Sequence, residues 1–310
     1  MTQVSIIVPS YNHGQFLMDR LTTIANQTYK DWEAIIIDDK STDNSVEIIT
    51  KFIEDNPSFK VKYFIVNEIN SGSGYNSWRK GLELVETEYV WIAETDDYSD
   101  PSFLEESVSM LDKNSSLPLV FCTSNYVDQE CNYLYDSRKR TSLLNIPNDS
   151  FGIVSNDIVI NSFPFNPLIT NGSSVVFRRP KIAIPDETFN YRQMSDLFFW
   201  TWLIQKKDII FLNKKLNNFR RHPESTTTKI SFSKRELLFE EYLGYLNMYP
   251  DESKINVFIE KYINEVWWLK FKKGKISLTQ IINLKGFGFL RIRLKFIKYL
   301  FRFIFSKFNL

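Results

Sequence analysis

The segment Tyr89-Val-Trp-Ile-Ala-Glu-Thr-Asp-Asp97 is an apolar run that ends in three carboxylates within four residues, Glu94, Asp96 and Asp97. Like charges at the end of a buried segment are costly to desolvate unless a cation neutralises them. Hard oxygen donors suit a divalent ion that also holds phosphate oxygens. Asp38 and Asp39 close an earlier apolar run, residues 32–37, in the same manner. The chemistry on offer is a metal ion with a phosphorylated ligand behind it. A plainer reading has the acids capping helices, and Asp100-Pro101 has the form of an N-cap followed by proline in the first helical position. Pro101 supplies that helix start without Asp96, and a second strand end carries paired aspartates, so binding is the stronger reading.

Such side chains need strands to present them. Strand patterns over 4–9, 32–38, 61–66, 88–93 and 117–123 alternate with helical patterns over 14–26, 44–54, 75–86 and 101–111. This alternation predicts an α/β fold with a mainly parallel sheet and helices on both faces. The near-continuous apolar runs 5–8 and 34–37 fit central strands buried on both sides. Asn44 with Glu47 reads as a capping box variant. In such a sheet a ligand lies across the carboxyl ends of the strands, which brings residues 9–12, Asp38, Asp39 and 94–97 to one crevice. Residues 124–170 lose periodicity and gather Asn, Ser, Asp and Pro, the pattern of long loops over the crevice that make substrate contacts. Regularity returns with a strand over 173–177, a helix over 194–205 and a short strand over 208–212. Helices are predicted over 233–247 and 252–272, the second with Ile255, Phe258, Ile259, Tyr262, Ile263 and Val266 on one face.

With 310 residues and 43% hydrophobic content, the chain can bury the core of one large domain and an appendage. Its formal net charge of +1 hides an asymmetry. Residues 270–310 carry 11 Lys and Arg and no acid, leaving 27 basic against 37 acidic side chains before them. An acidic body with a basic tail is expected to seek an anionic surface. Cys122 and Cys131 have neither metal-ligand spacing nor disulfide-scaffold density, which points to a reducing compartment. The strand beginning at Val4 leaves no room for a signal peptide, so a cytoplasmic protein is expected.

Together the motifs resemble the family-two inverting glycosyltransferases of the GT-A fold. They are the segment from Val4 through Pro9, Ser10, Tyr11 and Asn12, the Asp38-Asp39-Lys-Ser-Thr-Asp43 segment, Asn70-Ser-Gly72 with Trp78-Arg-Lys-Gly81, and Trp91-Ile-Ala-Glu-Thr-Asp-Asp97. The likeness covers residues 3 to about 228, and the ordered set is specific where any one motif is not. It implies a GT-A domain over 1–228, with a nucleotide half 1–123 and an acceptor half 124–228, followed by helices over 229–273 and a basic amphipathic tail over 274–310.

The resemblance also implies roles. Pro9, Tyr11 and Asn12 would lie near the base or ribose, and Asp39 would accept a hydrogen bond from a uracil or thymine imide. The triplet matches the family's metal-binding Asp-x-Asp, with Glu94 in the first place and Asp96 as the metal ligand. Asp97 would face sugar or acceptor hydroxyls. The metal would be Mg²⁺ or Mn²⁺. Asp196, at the start of the 194–205 helix, would be the general base, a role compatible with helix capping. In the segment around Leu216-Asn-Asn-Phe-Arg-Arg-His222, His222 is either a further metal ligand or a structural histidine, and Arg220 or Arg221 a phosphate clamp. His13 reads as part of a surface turn, and Arg79 as touching either phosphate or solvent.

The expected activity is metal-dependent, inverting transfer from a UDP- or dTDP-linked sugar to a saccharide or lipid-linked saccharide acceptor, in cell-surface polysaccharide or lipopolysaccharide assembly. The alternative is a catalytically inactive, peripheral membrane protein of the same fold. On a helical wheel Arg291, Lys295, Lys298 and Arg302 share one face of the tail with Ser306 and Asn309, and large apolar residues cover the rest. This predicts a helix lying on the inner face of the cell membrane, against the alternative of a helix packed on protein. Basic residues interleaved with aliphatics do not form a nucleic-acid groove. The first turn, residues 9–14, lacks the G-x-G-x-x-G of a dinucleotide-binding oxidoreductase.

Overall fold

The computed structural model describes residues 3–223, 232–269 and 290–308. The chain divides into two compact units, Met1–Ser225 and Thr226–Leu310.

The first unit is built on a ten-stranded sheet. Its strands are β1 Val4–Ser10, β2 Trp32–Asp38, β3 Val61–Val66, β4 Tyr89–Ile92, β5 Tyr98–Ser99, β6 Leu119–Val127, β7 Tyr133–Asp136, β8 Phe151–Val154, β9 Val175–Arg178 and β10 Ile209–Arg220. The order is β3-β2-β1-β4-β9-β6-β10-β5, with β7 beside β6 and β8 beside β10. Strands β3, β2, β1 and β4 are parallel, as are β6 and β10, while β9 runs antiparallel between β4 and β6. The sheet is therefore mainly parallel. Helices α1 Gly14–Ala25, α2 Ser45–Asp55, α3 Gly74–Glu83 and α4 Phe103–Lys113 alternate with the first strands, and α5 Arg138–Thr141, α6 Asn156–Ser162 and α7 Ser195–Ile204 follow. The chain goes outward from β1 to β2 and β3, then returns to the other side of β1 as β4. The resulting reversal opens a crevice at the carboxyl ends of β1 and β4.

Period-two and period-3.6 patterns meet in the core. Ile6 and Val8 of β1 join Leu17, Leu21 and Ile24 of α1 and Trp91 of β4 in one buried cluster. Each such side chain contributes roughly 1.5–3 kcal/mol on burial. On the other face α3 sits so close to β1 that a Cβ at Gly81 would lie 2.5 Å from a methyl of Ile7.

Three local expectations are corrected. The short strand at 208–212 is the start of a twelve-residue strand, because register shifts at 212–217 carry the pairing with β6 through the polar Asn213-Lys-Lys215 stretch. The loops at 124–170 contain β7, β8, α5 and α6. Asn44 makes no side-chain cap bond on α2. Instead the Asp43 carboxylate accepts from Ser45 N (3.0 Å) and Gly14 N (2.9 Å).

The second unit consists of α8 Phe232–Met248, α9 Glu252–Tyr262 with a π-helical turn over Ile263–Trp267, and α10 Leu290–Phe308. Asp251 caps α9, accepting from Ser253 N and Lys254 N at 2.9 and 3.2 Å. Phe258, Ile259, Ile263 and Val266 of the predicted apolar face are buried with Phe239, Tyr245 and Leu246. The tail helix packs within this unit: Leu300 is buried, Phe303 meets Trp268 at 5.3 Å between ring centroids, and Lys295 pairs with Glu252. Among the described residues no helix is long and apolar enough to cross a membrane. The tail lysines at 270, 272, 273, 275 and 285 and Asn309 lie outside the described residues.

Candidate active site

The exits of β1 and β4 are fastened together. Ala93 N donates to Ile7 O (2.8 Å), and the Thr95 hydroxyl donates to Pro9 O (3.1 Å). The acids that follow β4 therefore start from a fixed position, and they diverge. Asp97 is 0% exposed; its two oxygens accept from Arg220 N (3.0 Å) and Asn171 Nδ2 (2.6 Å). Its carboxylate thus holds protein against protein, which corrects the expectation that it faces sugar or acceptor hydroxyls. Asp96 is 15% exposed, with Oδ2 3.2 Å from His222 Nε2. Burial, then the charge of Asp96, pushes Asp97 up to about 7. Burial likewise lifts Glu94 well above the carboxylate range, reinforced by Asp96, Asp97 and Asp196. For Asp96 burial acts upward too, but the His222 bond and the neighbouring imidazoles outweigh it, leaving it below its usual value.

Arg20 of α1 answers this concentration of negative charge. Its guanidinium is fully buried, donates to Glu94 O (2.7 Å) and Ser173 Oγ (3.2 Å), and lies over the Trp91 ring. Burial pulls it down to about 10 against the opposing pull of Asp97, Asp96 and Glu94.

His13, Asp96 and His222 each offer a ligand atom, all within 4.8 Å of one another. His13 lies beside the acids rather than in the surface turn expected for it: its Nδ1 is 2.7 Å from Thr95 Oγ1, and its ring stands 5.8 Å from that of His222. His222 is buried, tilted on Phe16 at 4.8 Å, and its Nδ1 has no hydrogen-bond partner. A buried imidazole with one nitrogen on a carboxylate and the other unpaired fits a metal ligand better than a satisfied core histidine. The residues present therefore fit a divalent ion.

Asp196 lies in the first turn of α7, half-buried, with Oδ1 accepting from Leu197 N (2.9 Å). The role of securing the helix entry falls to Ser195, whose hydroxyl donates to Tyr191 O and accepts from Tyr191 N.

On the nucleotide side Tyr11 is 44% exposed beyond the end of β1. Pro9 offers its carbonyl to Thr95, and Asn12, at φ 52°, binds across to the next loop, its Oδ1 accepting from Thr42 N at 2.7 Å. Asp38 is structural, gripped by Ser10 and Ser41. Asp39 accepts from Asn67 Nδ2 (2.7 Å) and from the backbone and hydroxyl of Ser71. Arg220 is no phosphate clamp: it is buried, paired with Asp19 at 2.7 Å and stacked on Phe16. Arg221 is half-exposed. Arg79 is engaged by Asp186 (2.7 Å) and Glu83.

Sequence reasoning passed over His13, Arg20 and Asn171. Arg20 carried a readable signal, since it falls on the stripe Phe16, Leu17, Leu21, Ile24 that α1 turns to the core. Asn171 carried none.

The family model for Glycosyl transferase family 2 matches residues 5–181. An uncharacterised glycosyltransferase of Haemophilus influenzae is 27% identical over 260 residues, 81% of this chain and 77% of the relative. The poly(ribitol-phosphate) beta-N-acetylglucosaminyltransferase TarS of Staphylococcus aureus is 29% identical over 118 residues, 37% of this chain and 20% of that protein. The crystal structure of TarS 1–349 with UDP-GlcNAc is similar with a TM-score of 0.57 at 18% identity, over 98% of this chain and 81% of that one, a likeness of fold.

Proposed function

The chain belongs to glycosyl transferase family 2 and has the GT-A fold. From that premise we propose that this glycosyltransferase moves a sugar from a UDP- or dTDP-linked donor to a saccharide acceptor, with inversion, in cell-surface polysaccharide assembly. The observation that carries the reading is the gathering of Asp96 and His222, with His13, beyond the ends of β1 and β4, their ligand atoms within 4.8 Å of one another. UDP-GlcNAc bound to TarS supports a uridine donor.

Tyr11, half-exposed, would lie against the base. The base imide N–H would replace one of the Ser71 bonds to Asp39, and Arg221 rather than Arg220, which is committed to Asp19, would meet the diphosphate. Asp96 and His222 would hold Mn²⁺ or Mg²⁺, which when bound supplies positive charge to the departing diphosphate. Asp196 would accept the acceptor hydroxyl proton as that oxygen bonds to the anomeric carbon. The carbon–oxygen bond to the diphosphate breaks on the opposite face, and the proton leaves Asp196 to solvent.

The tail is read as a membrane contact. On α10, Leu294, Phe301 and Phe305 are 60, 58 and 51% exposed, with Lys298 and Arg302 exposed beside them. Apolar rings flanked by cations suit an anionic bilayer surface, and a lipid-linked acceptor on the inner leaflet follows from it.

Thermal denaturation with UDP, dTDP, GDP or CMP, each with and without Mn²⁺, tests the donor reading. UDP or dTDP should raise the midpoint only with the metal, by mass action on the native state. A protein indifferent to every nucleotide would overturn the reading.

A further inference from the structure

We propose that His13 is a third protein ligand, making the metal centre a two-histidine, one-carboxylate set that prefers Mn²⁺ to Mg²⁺; this rests on the metal reading above. The first support is placement. One ligand atom from each of His13, Asp96 and His222 lies within 4.8 Å of the others, close enough for a single ion to touch all three with little adjustment. His13 stands at the N-cap position of α1 yet makes no capping bond, so the ring is not spent on the helix it precedes.

The second support is the proton count around Thr95. A hydroxyl has one proton, and the Thr95 hydroxyl donates it to the Pro9 carbonyl, which can only accept. Towards His13, Thr95 Oγ1 is therefore the acceptor, and Nδ1 is the donor in the 2.7 Å bond between them. A neutral imidazole protonated at Nδ1 keeps its lone pair at Nε2. A hydrogen bond from the other ring nitrogen is how ligating histidines are usually oriented. Thr95, between Glu94 and Asp96, thus joins β1 to β4 and fixes the His13 tautomer.

The third support is donor chemistry. Magnesium demands oxygen ligands and retains its waters, whereas imidazole suits the first-row transition ions. Two imidazoles in a three-residue set shift the preference away from Mg²⁺, and Mn²⁺ is the ion that also accepts carboxylate and phosphate oxygens readily.

Mn²⁺ binding to the full chain without nucleotide, followed by EPR with Mg²⁺ as competitor, tests this. Pulsed EPR should detect two imidazole nitrogens on Mn²⁺ in the parent protein and one in His13→Gln. That variant should bind Mn²⁺ about ten- to a hundredfold more weakly and yield to Mg²⁺ more easily, with Thr95→Val weakened in the same direction. If His13→Gln keeps the parent's Mn²⁺ affinity and nitrogen couplings while His222→Gln loses them, His13 is not a ligand and the proposal falls alone. If Asp96→Asn and His222→Gln also bind Mn²⁺ as the parent does, the metal reading falls with it. Thermal midpoints of the variants separate lost binding from lost folding.

Discussion

Two neighbouring aspartates do opposite work because one strand end turns them opposite ways. Asp96 keeps a face to the crevice, while Asp97 is closed in by Arg220 N and Asn171. The run Glu94-Thr-Asp-Asp97 reveals that acids gather there but not which one faces out, since that is decided by partners 74 and 123 residues away in the chain. The motif order pointed to Asp196, and the structure gives its position: half-buried, in the first turn of α7. Asp196→Asn should lower kcat roughly a hundred- to ten-thousandfold while nucleotide affinity stays within a few-fold of the parent. Turnover with the donor and titration with UDP check the two halves separately, and a matching loss of UDP binding would remove Asp196 from the role of base.

Helix α1 does more than cover the sheet. Its apolar stripe docks on β1 and β4, and the cation on that stripe, Arg20, is carried under the acids. Removing one partner from a buried charge arrangement costs about 3–5 kcal/mol, so Arg20→Met should lower unfolding stability on that order in denaturant titration. The pH dependence has a defined sign. Asp97 is raised from 3.8 to about 7, so its contribution is full below about 4 and is lost as pH rises through about 7, where the native state gives up a proton the unfolded chain has already released. Without Arg20 the Asp97 carboxyl is raised further and that decline should extend to higher pH, so the variant should stand nearer the parent at pH 5 than at pH 8. An equal deficit at both would mean that Arg20 acts through packing. Most of the parallel sheet was legible because β1 and β2 are buried on both sides and carry unbroken apolar runs. The far end of β10 was not, because its Asn-Lys-Lys stretch reads as loop and pairs only by shifting register against β6.

At the scale of the whole molecule the charge asymmetry separates a chemical unit from a basic one. Within the second unit α10 uses Leu300 and Phe303 for packing and leaves Leu294, Phe301 and Phe305 outward. The sequence wheel put Lys295 among the membrane-facing cations; the structure gives it to Glu252, a partner no helical wheel contains. Removing residues 285–310 should release the protein from vesicles containing anionic lipid in a flotation assay, while the parent floats with them at low salt. Equal flotation of both would assign the tail to protein packing alone.

The long β10 has a further consequence, for heredity rather than chemistry. Successive strand residues face opposite sides, so a one-residue change in length turns every later side chain over. Arg220, which stacks on Phe16, and His222, which meets Asp96, both lie just past the irregular pairing at 212–217. Surface loops that touch neither residue can lengthen or shorten without disturbing them. The ten residues from 213 to 222 cannot, so descendants of this gene are held there to a fixed count, as well as to the letters at 220 and 222.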